Sequence, residues 1–475
     1  MAVSRPDAVV VGAGPNGLAA AITLARAGRS VQVLEAEPTA GGGCRSGELT
    51  LPGYIHDICS AVHPLAAASL FLRTVPLAEH GVELVQPDIP LAHPLDGGRA
   101  ALLHRDLAET CAGLGADGAR YRRLFGPLVE NIDRVLEDVH GPLRPPQHPV
   151  SLVQFGVRAI WPATTLARVA FKHQPARSMF AGMAGHSMLE LDKPFTSAAA
   201  LVLGTLGHAV GWPFVRGGSQ VLADAMVSYL QSLGGEVVTG RRVQSVADLP
   251  RSRAVLFDLT PRQILGIASD QLSARYRRSL QRFRYGPGVF KLDLALKEPI
   301  PWSAPGCRRA GTVHVGGTME EIAAGERMVW AGRHPERPYV LLAQPSLFDA
   351  SRAPRGKHTA WAYCHVPSGS NVDMSDRIEA QIERFAPGFR DVIEARSLMN
   401  AQDMERHNTN YVGGDINGGV QDFRQLFTRP AVRPVPYTTS NPRLFICSSS
   451  TPPGGGVHGM CGFFGAQAAL SRVLK

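Results

Sequence analysis

The segment DAVVVGAGPNGLAAAITLARAGRSVQVLEAE, residues 7–37, has the residue types and spacing to bind a dinucleotide. Gly12 permits a tight turn, Gly14 lets the backbone approach a pyrophosphate, and Gly17 lets helix and strand pack closely. The N-terminus of the following helix offers free N–H groups to the anion. Glu35, 23 residues after Gly12, can accept hydrogen bonds from ribose hydroxyls. A carboxylate there favours FAD or NAD over NADP.

The elements that must position these residues are visible in the same segment. Ala8–Val11 is an apolar run that predicts a buried strand, and Leu18–Arg26 predicts a helix closed by Gly28. Val31–Leu34 predicts a second buried strand, which ends at Glu35. This strand–turn–helix–strand order is the context that the glycine motif needs.

A second match to the glycine spacing, GLGADG at residues 113–118, lacks that context. It follows RDLAETCA, which has a helical pattern, and no strand with a terminal acid comes after it. We therefore interpret it as a loop between helices. One bound dinucleotide is expected, with no dedicated second site for NAD(P)H.

Directly after the second strand come three glycines, 41–43, and then Arg45 and Ser46. The stretch from Gly12 to Ser46 resembles the extended fingerprint of the flavin amine oxidase and phytoene desaturase superfamily. Gly43 stands where that family usually has arginine, and Arg45 is expected to supply the cation instead. The resemblance implies that the dinucleotide is FAD.

The middle of the chain has the pattern of further nucleotide-domain elements. Gln220–Leu233 predicts an amphipathic helix and Glu236–Thr239 a strand, and GRRVQSV and AVLFDLTP predict further strands, joined by a very short hairpin. In the family this segment completes the FAD domain. The resemblance implies that the backbone of Val243 meets the adenine.

The C-terminal segment NPRLFICSSSTPPGGGVHGMCG predicts a strand, Leu444–Cys447, a glycine-rich loop and a helix. It resembles the C-terminal flavin motif of the same superfamily, in which the helix N-terminus points at the isoalloxazine ring. Ser448 and Ser449 stand where the family often has Gly-Asp. HNTNYVGGDINGG from His407 and GPGVFKLDLALKEPIPW from Gly286 are similar to the subgroup of pyridine nucleotide-disulfide oxidoreductase domain-containing protein 2.

The fingerprint and the resemblance together imply a set of cofactor-binding residues. They are Gly12, Ala13, Gly14, Pro15, Asn16, Gly17, Glu35, Ala36, Gly42, Gly43, Cys44, Arg45, Val243, Ser449, Gly456, Val457 and His458.

Three residues are candidates for proton transfer near the flavin: Lys291, His458 and His56. Lys291 lies in the alternating run VFKLDLAL, a predicted half-buried strand, and faces either the cavity or solvent. His458 lies just inside the C-terminal helix, where a plain helix-start residue is the alternative. His56 and Asp57 follow the FAD arginine, and they either line the same cavity or serve a turn.

The predicted fold class is α/β, with a Rossmann-type FAD-binding domain of the glutathione reductase-like, amine oxidase and phytoene desaturase architecture. We expect a discontinuous FAD domain made of residues 1–74, 206–274 and 421–475. Residues 75–205 and 275–420 lack nucleotide signals and are expected to form an interleaved substrate domain with a mixed sheet and helices.

Composition excludes several classes of protein. With 44% hydrophobic and 19% charged residues, the chain can bury a large core. The seven cysteines form no C-x-x-C pair and have no ligand-like spacing with histidine, so we predict no metal site and a reducing, cytoplasmic setting. The net charge of +9 comes from scattered arginines, which argues against nucleic-acid binding but permits attraction to an anionic membrane surface.

Two apolar stretches bear on membrane contact. Residues 194–215 are long enough to span a bilayer, but their glycines, Thr205, His208 and the prolines near both ends favour a buried or channel-lining helix. Residues 150–171 are interpreted as a core helix broken at Pro162. The alternative is a surface that touches a membrane or an apolar substrate.

The predicted function is that of an FAD-dependent oxidoreductase. It would transfer a hydride between flavin N5 and a largely apolar organic substrate, polyene- or lipid-like, as a desaturase, dehydrogenase or oxidase. The apolar bias comes from the resemblance. Two alternatives stay open: a redox-neutral isomerase that keeps reduced FAD, and a flavin-binding assembly or sensor protein without catalysis.

Overall fold

A computed structural model describes residues 5–426 and 428–475 and contains two principal sheets covered by helices. The strands are β1 (Ala8–Val11), β2 (Val31–Leu34), β3 (Ser46–Glu48), β4 (Ile55–Asp57), β5 (Leu84–Val85), β6 (Ile89–Leu95), β7 (Arg99–Leu103), β8 (Phe214–Val215), β9 (Glu236–Val238), β10 (Ala254–Phe257), β11 (Gly288–Leu296), β12 (Ala310–Val315), β13 (Val340–Ala343), β14 (His358–Val366), β15 (Ile393–Met399) and β16 (Leu444–Ile446).

Helices make up the covering layers. They are α1 (Pro15–Arg26), α2 (Pro64–Ala67), α3 (Leu107–Gly113), α4 (Gly118–Glu130), α5 (Ile132–Val139), α6 (Pro149–Ala159), α7 (Ala163–Ala170), α8 (Gln174–Gly185), α9 (Thr196–Ala209), α10 (Gln220–Ser232), α11 (Pro261–Ala268), α12 (Ala274–Gln281), α13 (Met319–Trp330), α14 (Ser375–Phe385), α15 (Ala401–His407), α16 (Phe423–Leu426) and α17 (Met460–Arg472).

The first sheet is parallel and has the order β16-β10-β1-β2-β9. All four residues of β1 are buried, which is expected of a parallel strand covered on both faces. Helix α1 begins at Pro15, one turn before the predicted start, because proline suits the first helical position. The carboxyl ends of β1, β2 and β10 therefore meet at one edge of this sheet.

The prediction of a strand at GRRVQSV is wrong. After β9 the backbone N–H of Gly240 donates to the carbonyl of Glu37, and that of Arg241 donates to the carbonyl of Glu35. The chain is thus held against the turn after β2, and the next strand is β10. The GLGADG segment joins α3 to α4, as predicted, but Gly115–Asp117 form a short 3-10 helix and not an open loop.

The second sheet is mixed and has the order β15-β11-β14-β13-β12-β6-β7. All nine residues of β11 are buried, so the prediction of a half-buried strand is wrong. The reason is that β11 pairs with both β14 and β15, while apolar residues cover each face of the sheet. One of these layers includes Tyr121, Phe125 and Phe180 from the helices.

The apolar stretch at 150–171 forms two helices, α6 and α7, that break at Pro162. The core interpretation holds for only one face of α6, which buries Phe155 and Ala159. Val150, Val153 and Val157 are exposed on another face, so as a description of the whole helix the core interpretation is wrong. Across residues 5–426 and 428–475, no helix combines the length and apolarity needed to cross a membrane.

The C-terminal helix α17 packs directly on α1, and glycine makes this approach possible. A Cβ at Gly462 would lie 1.8 Å from the carbonyl oxygen of Asn16 and 2.8 Å from the backbone nitrogen of Ala20. Both atoms belong to a buried backbone, so neither can move aside on its own. The last helix of the chain therefore closes against the first.

We expect Gly462→Ala to lower the free energy of unfolding by at least about 1–3 kcal/mol, because the added methyl group forces α17 away from α1. The matched control is Gly156→Ala on α6, where a Cβ would meet none of the described atoms within 4 Å. That control is expected to be neutral or slightly stabilising. Equal urea midpoints for the two variants would contradict this account of the packing.

Candidate functional site

A cavity of about 590 Å³ runs from the carboxyl edge of the parallel sheet to the second sheet. At the first end it is lined by the segments that follow β1, β2 and β10. At the other end it is lined by residues of β12, β13 and β14, by Leu203 of α9, and by His186 and Trp212, which follow α8 and α9. One space therefore connects the glycine-rich edge with the sheet of the second layer.

Thirteen of the residues predicted to bind the cofactor line this cavity. They are Gly12, Gly14, Pro15, Asn16, Glu35, Ala36, Gly42, Gly43, Arg45, Val243, Ser449, Gly456 and Val457. Ala13, Gly17, Cys44 and His458 are not among the described lining residues. Ala13 and Gly17 instead point their backbone N–H groups at carboxylates of the protein itself.

The carboxylate of Glu35 is held in place by the protein on three sides. Its Oε2 accepts from the N–H of Ala13 at 2.8 Å, and its Oε1 accepts from the N–H of Glu37 at 3.0 Å and from Arg45 Nη2 at 3.4 Å. A carboxylate has about four acceptor positions, so about one stays available to a ligand in the cavity. The side chain is thus oriented before any ligand arrives.

Asp258, directly after β10, is a site residue that was not predicted from the sequence. Its Oδ2 accepts from the N–H of Gly17 at 2.8 Å, and the residue lines the cavity. Burial raises the pKa of Asp258 to about 7, and the nearby charge of Glu35 acts in the same direction. In the sequence, Asp258 directly follows the apolar run AVLF, and an acid in that place could have been recognised as a site residue. In the structure this run is β10, which pairs in parallel with β1.

Two buried polar atoms at this end point to a polar ligand. Among the described atoms, Asn16 Oδ1 and Arg45 Nε have no hydrogen-bond partner, and both residues line the cavity. Buried polar groups are nearly always paired in folded proteins. An amide acceptor, a guanidinium with an unused N–H group and the N-terminus of α1 together fit an anionic dinucleotide.

None of the three predicted proton-transfer residues is among the described residues that line the cavity. Lys291 is buried and forms an ion pair with Asp293 on the same strand, so the solvent-facing alternative is wrong. An acid–base role for Lys291 stays a prediction. The alternation rule could not locate this side chain, because both faces of β11 are covered.

The prediction that His56 and Asp57 line the cavity is wrong. His56 Nε2 lies 2.8 Å from Thr50 Oγ1, and its Nδ1 lies 3.7 Å from Asp293 Oδ1. Burial, with the charges of Lys291 and Arg352, lowers the pKa of His56 to about 3, so the ring is neutral near pH 7. Asp57 forms a buried ion pair with Arg352.

His458 precedes α17, which begins at Met460, so its predicted place just inside the helix is wrong, but it contacts the helix start as the alternative describes. Its Nδ1 accepts from the N–H of Met460 at 3.0 Å, at the beginning of α17, and the ring is buried outside the described cavity lining. Burial lowers the pKa of His458 to about 4. A neutral ring whose Nδ1 already accepts from the backbone serves the helix end, so proton transfer by His458 stays an untested prediction.

The far end of the cavity is lined by apolar and aromatic side chains that the sequence analysis did not select. They are Leu203, Trp212, Leu341, Trp361 and Tyr363, with His186 and Thr312 beside them. The sequence feature that could have indicated them is the run HTAWAYCHV of β14, in which alternate residues are aromatic. Alternation assigns them to one face but not to a cavity, because that depends on the neighbouring strands.

Charge is divided between the two ends of the cavity. The charged lining residues, Glu35, Glu37, Arg45, Arg241, Arg242 and Asp258, all belong to the segments after β2, β9 and β10 and to the turn around Arg45. The described residues at the other end include no aspartate, glutamate, lysine or arginine. Burial lowers the pKa of His186 to about 3 and raises that of Tyr363, so both are uncharged near pH 7.

A parallel sheet with a glycine-rich edge, an oriented acid after its second strand and an adjoining cavity are the features of a Rossmann-type dinucleotide-binding protein. In agreement, the family model described as an NAD(P)-binding Rossmann-like domain matches residues 10–70.

Relatives extend the similarity over the whole chain. Pyridine nucleotide-disulfide oxidoreductase domain-containing protein 2 of Rattus norvegicus is 26% identical, with 99% of this chain and 94% of that protein covered. Phytoene desaturase (lycopene-forming) of Pantoea ananas is 25% identical over 60% of this chain and 61% of its own length. The crystal structure of an oxidoreductase from Methanosarcina mazei has a TM-score of 0.66 at 17% identity, with 98% of this chain and 99% of that chain covered.

These similarities confirm the predicted resemblance to pyridine nucleotide-disulfide oxidoreductase domain-containing protein 2 and to the phytoene desaturases, and they confirm the α/β fold with a Rossmann-type domain. The curated relatives confirm, at the level of that class, the prediction that the chain is an oxidoreductase enzyme.

We expect Lys291→Met to destabilise the fold by about 3–5 kcal/mol, because it leaves the Asp293 carboxylate buried without its cation. The double variant Lys291→Met/Asp293→Asn removes both charges and is expected to recover most of that loss. Urea denaturation of both variants measures the difference. If the single variant is no less stable than the double variant, the ion pair is not what holds this part of β11.

Proposed function

We propose that this chain is an FAD-dependent oxidoreductase that transfers a hydride between a largely apolar organic substrate and flavin N5. The main support is the single cavity that joins a polar, glycine-rich end to an uncharged aromatic end. A dinucleotide suits the first end and an apolar molecule suits the second. The similarity to a phytoene desaturase over 60% of this chain supports the same substrate class.

In this proposal the protein residues at the polar end bind and orient FAD. The N-terminus of α1, with Gly14 and Asn16, faces the pyrophosphate, and the oriented carboxylate of Glu35 accepts from the adenosine ribose. Arg45 supplies a cation, and the backbone of Val243 contacts the adenine. The segment of Ser449, Gly456 and Val457 approaches the flavin ring from the side of α17.

FAD would supply the hydride acceptor or donor, and the protein would supply position and polarity. The aromatic walls of Trp212, Trp361 and Tyr363 exclude water and hold an apolar chain against the flavin end of the cavity. His63, which also lines the cavity, has its pKa lowered to about 4 by burial and is neutral near pH 7. The substrate end thus offers no charged base, which suits transfer of a hydride from or to carbon.

A redox-neutral isomerase that keeps reduced FAD is the second candidate, because the same apolar cavity would hold its polyene substrate. Anaerobic mixing of the oxidised protein with a polyene separates the two. Bleaching of the flavin absorbance by the substrate supports the oxidoreductase. Isomerisation that starts only after dithionite reduction, with no net flavin oxidation, supports the isomerase.

The cofactor part of the proposal is tested by acid precipitation of the purified protein. FAD bound without a covalent link would leave with the supernatant and be identified by its absorbance and mass. A colourless protein that cannot be reconstituted with FAD would sink the proposal. Yellow colour that stays with the pellet would refute non-covalent binding.

We expect Glu35→Gln to weaken FAD binding about 10-fold to 150-fold, because a hydrogen bond to a charged acceptor contributes about 1.5–3 kcal/mol. Titration of FAD into apoprotein measures the effect. The control is Glu37→Gln, since Glu37 also lines the cavity but pairs with Arg242. Equal FAD affinity for the Glu35 variant and wild type would contradict the proposed hydrogen bond between Glu35 and the ribose.

We also propose that α6 contacts an anionic membrane surface, from which an apolar substrate could enter. Val150, Val153 and Val157 are exposed along one face of α6, and Ile160 and Trp161 continue it. Residues 141–175 contain four basic residues and no acidic one, although Arg168 pairs with Glu320. An apolar helix face with basic surroundings is typical of helices that lie in the membrane interface.

We expect the protein to co-sediment with vesicles that contain phosphatidylserine and to bind phosphatidylcholine vesicles less. Val153→Asp/Val157→Asp is expected to lower the bound fraction at least about tenfold, because two valines lose their burial in lipid. The control, Val372→Asp/Leu398→Asp, introduces the same charge at exposed apolar residues outside α6. If both double variants bind vesicles like wild type, α6 is not a membrane contact.

A further inference from the structure

We infer that the aromatic end of the cavity contains a subsite for a neutral oxygen function of the substrate, a carbonyl or a hydroxyl group. The subsite consists of the indole N–H of Trp361 and the hydroxyl group of Thr312, with His186 beside them. This inference deepens the proposed function, on which it rests, by stating that the apolar substrate carries a polar group at one end.

Strand register places the two residues on one face of the second sheet. Thr312 of β12 pairs with Ala343 of β13, and Ala343 pairs with Trp361 of β14. The three residues therefore form one row across the sheet, with about 10 Å between the Cα atoms at its ends. Ala343, in the middle of this row, carries only a methyl group. Trp361 and Thr312 both line the cavity.

The polar atoms of both residues are unpaired in the part of the chain that the structure describes. Trp361 Nε1 and Thr312 Oγ1 have no hydrogen-bond partner there, although the residues are only 8% and 4% exposed. An unpaired polar group at such depth costs free energy comparable to a lost hydrogen bond. A ligand atom that accepts from the indole would remove this cost.

Two other polar groups at this end already have partners. The indole N–H of Trp212 donates to the carbonyl of Leu203 at 3.2 Å, and His186 Nε2 lies 3.0 Å from His314 Nε2. Trp361 Nε1 is therefore a buried donor without a partner, Thr312 can either donate or accept, and the hydroxyl group of Tyr363 lines the same end. A substrate with an oxygen atom can accept a hydrogen bond from these groups, whereas a pure hydrocarbon cannot.

The surroundings favour an uncharged oxygen function. A primary ammonium group cannot accept from an indole N–H, so Trp361 does not suit an amine in its charged form. A carboxylate could accept, but Lys291, a buried cation of the same sheet, is already paired with Asp293. No free cation among the described lining residues of this end would balance it. A carbonyl or hydroxyl group brings no charge and can use both partners.

Calorimetric binding of three probes to the protein as purified, with whatever cofactor it carries, tests the subsite. Naphthalene, 2-naphthol and 2-naphthoate share one apolar body and differ in their oxygen function. Trp361→Phe is expected to reduce the preference for 2-naphthol over naphthalene about 3–10-fold, which is the effect of one hydrogen bond. Thr312→Val is expected to reduce it in the same direction, and 2-naphthoate is expected to bind more weakly than 2-naphthol.

The matched control is Trp212→Phe, which shortens a lining indole whose N–H is already donated to Leu203. It is expected to change the affinity for naphthalene and for 2-naphthol by the same factor. The subsite is overturned if neither Trp361→Phe nor Thr312→Val changes the preference, or if the Trp212 variant changes it equally. Thr312→Val keeps the side-chain shape, so the test survives if the Trp361 variant does not fold.

The measurement needs no turnover, so failure of the subsite and failure of the proposed function are distinguishable. Loss of preference in the variants, together with a protein that binds no FAD, supports the subsite and overturns the redox proposal. An unchanged preference, together with flavin reduction by a hydrocarbon polyene, overturns the subsite and supports the redox proposal.

Discussion

The architecture depends on one carboxylate packed against the glycine turn, that of Asp258. Its Oδ2 accepts from the N–H of Gly17, a residue 241 positions away. A Cβ at Gly14 would lie 2.7 Å from that oxygen, and one at Gly12 would lie 3.0 Å from the Asp258 carbonyl oxygen. The glycines of the motif are therefore required by the protein's own packing as well as by any ligand. This contact joins β1, α1 and β10 and so fixes the edge on which the cavity begins.

The sequence predicted the site well where its geometry is local. The turn from Gly12 to Gly17 and the acid at Glu35 belong to one strand–helix–strand unit, whose shape follows from nearby residues. Residues brought in by the second sheet were missed because their place depends on register. Trp361 reaches the cavity only because β14 lies between β11 and β13, a fact that no local pattern contains. The direction of the Lys291 side chain was not predicted for a different reason. Period-two alternation cannot tell the cavity face from the solvent face when a strand is covered on both faces.

The division of charge along the cavity explains how one space can serve two kinds of molecule. The polar end has an acid, a guanidinium and backbone N–H groups, all held by contacts within the parallel sheet. The other end is built on the second sheet, whose strands present aromatic and aliphatic side chains to it. Since each sheet supplies one end, changes in the second sheet could alter the bound molecule while leaving the dinucleotide edge intact. The unpaired indole of Trp361 belongs to this second sheet.

The position of β16 and α17 in the chain has a consequence for biosynthesis. The parallel sheet needs β16, which begins at Leu444, and the outer face of α1 is covered by α17, from Met460 onward. A ribosome adding about 5–20 residues per second needs on the order of 20–90 s to travel from β1 to that point. During this time the nascent N-terminal segment has an open sheet edge and an uncovered apolar helix. Chaperones recognise such surfaces, so we expect them to bind the nascent chain before α17 has been synthesised.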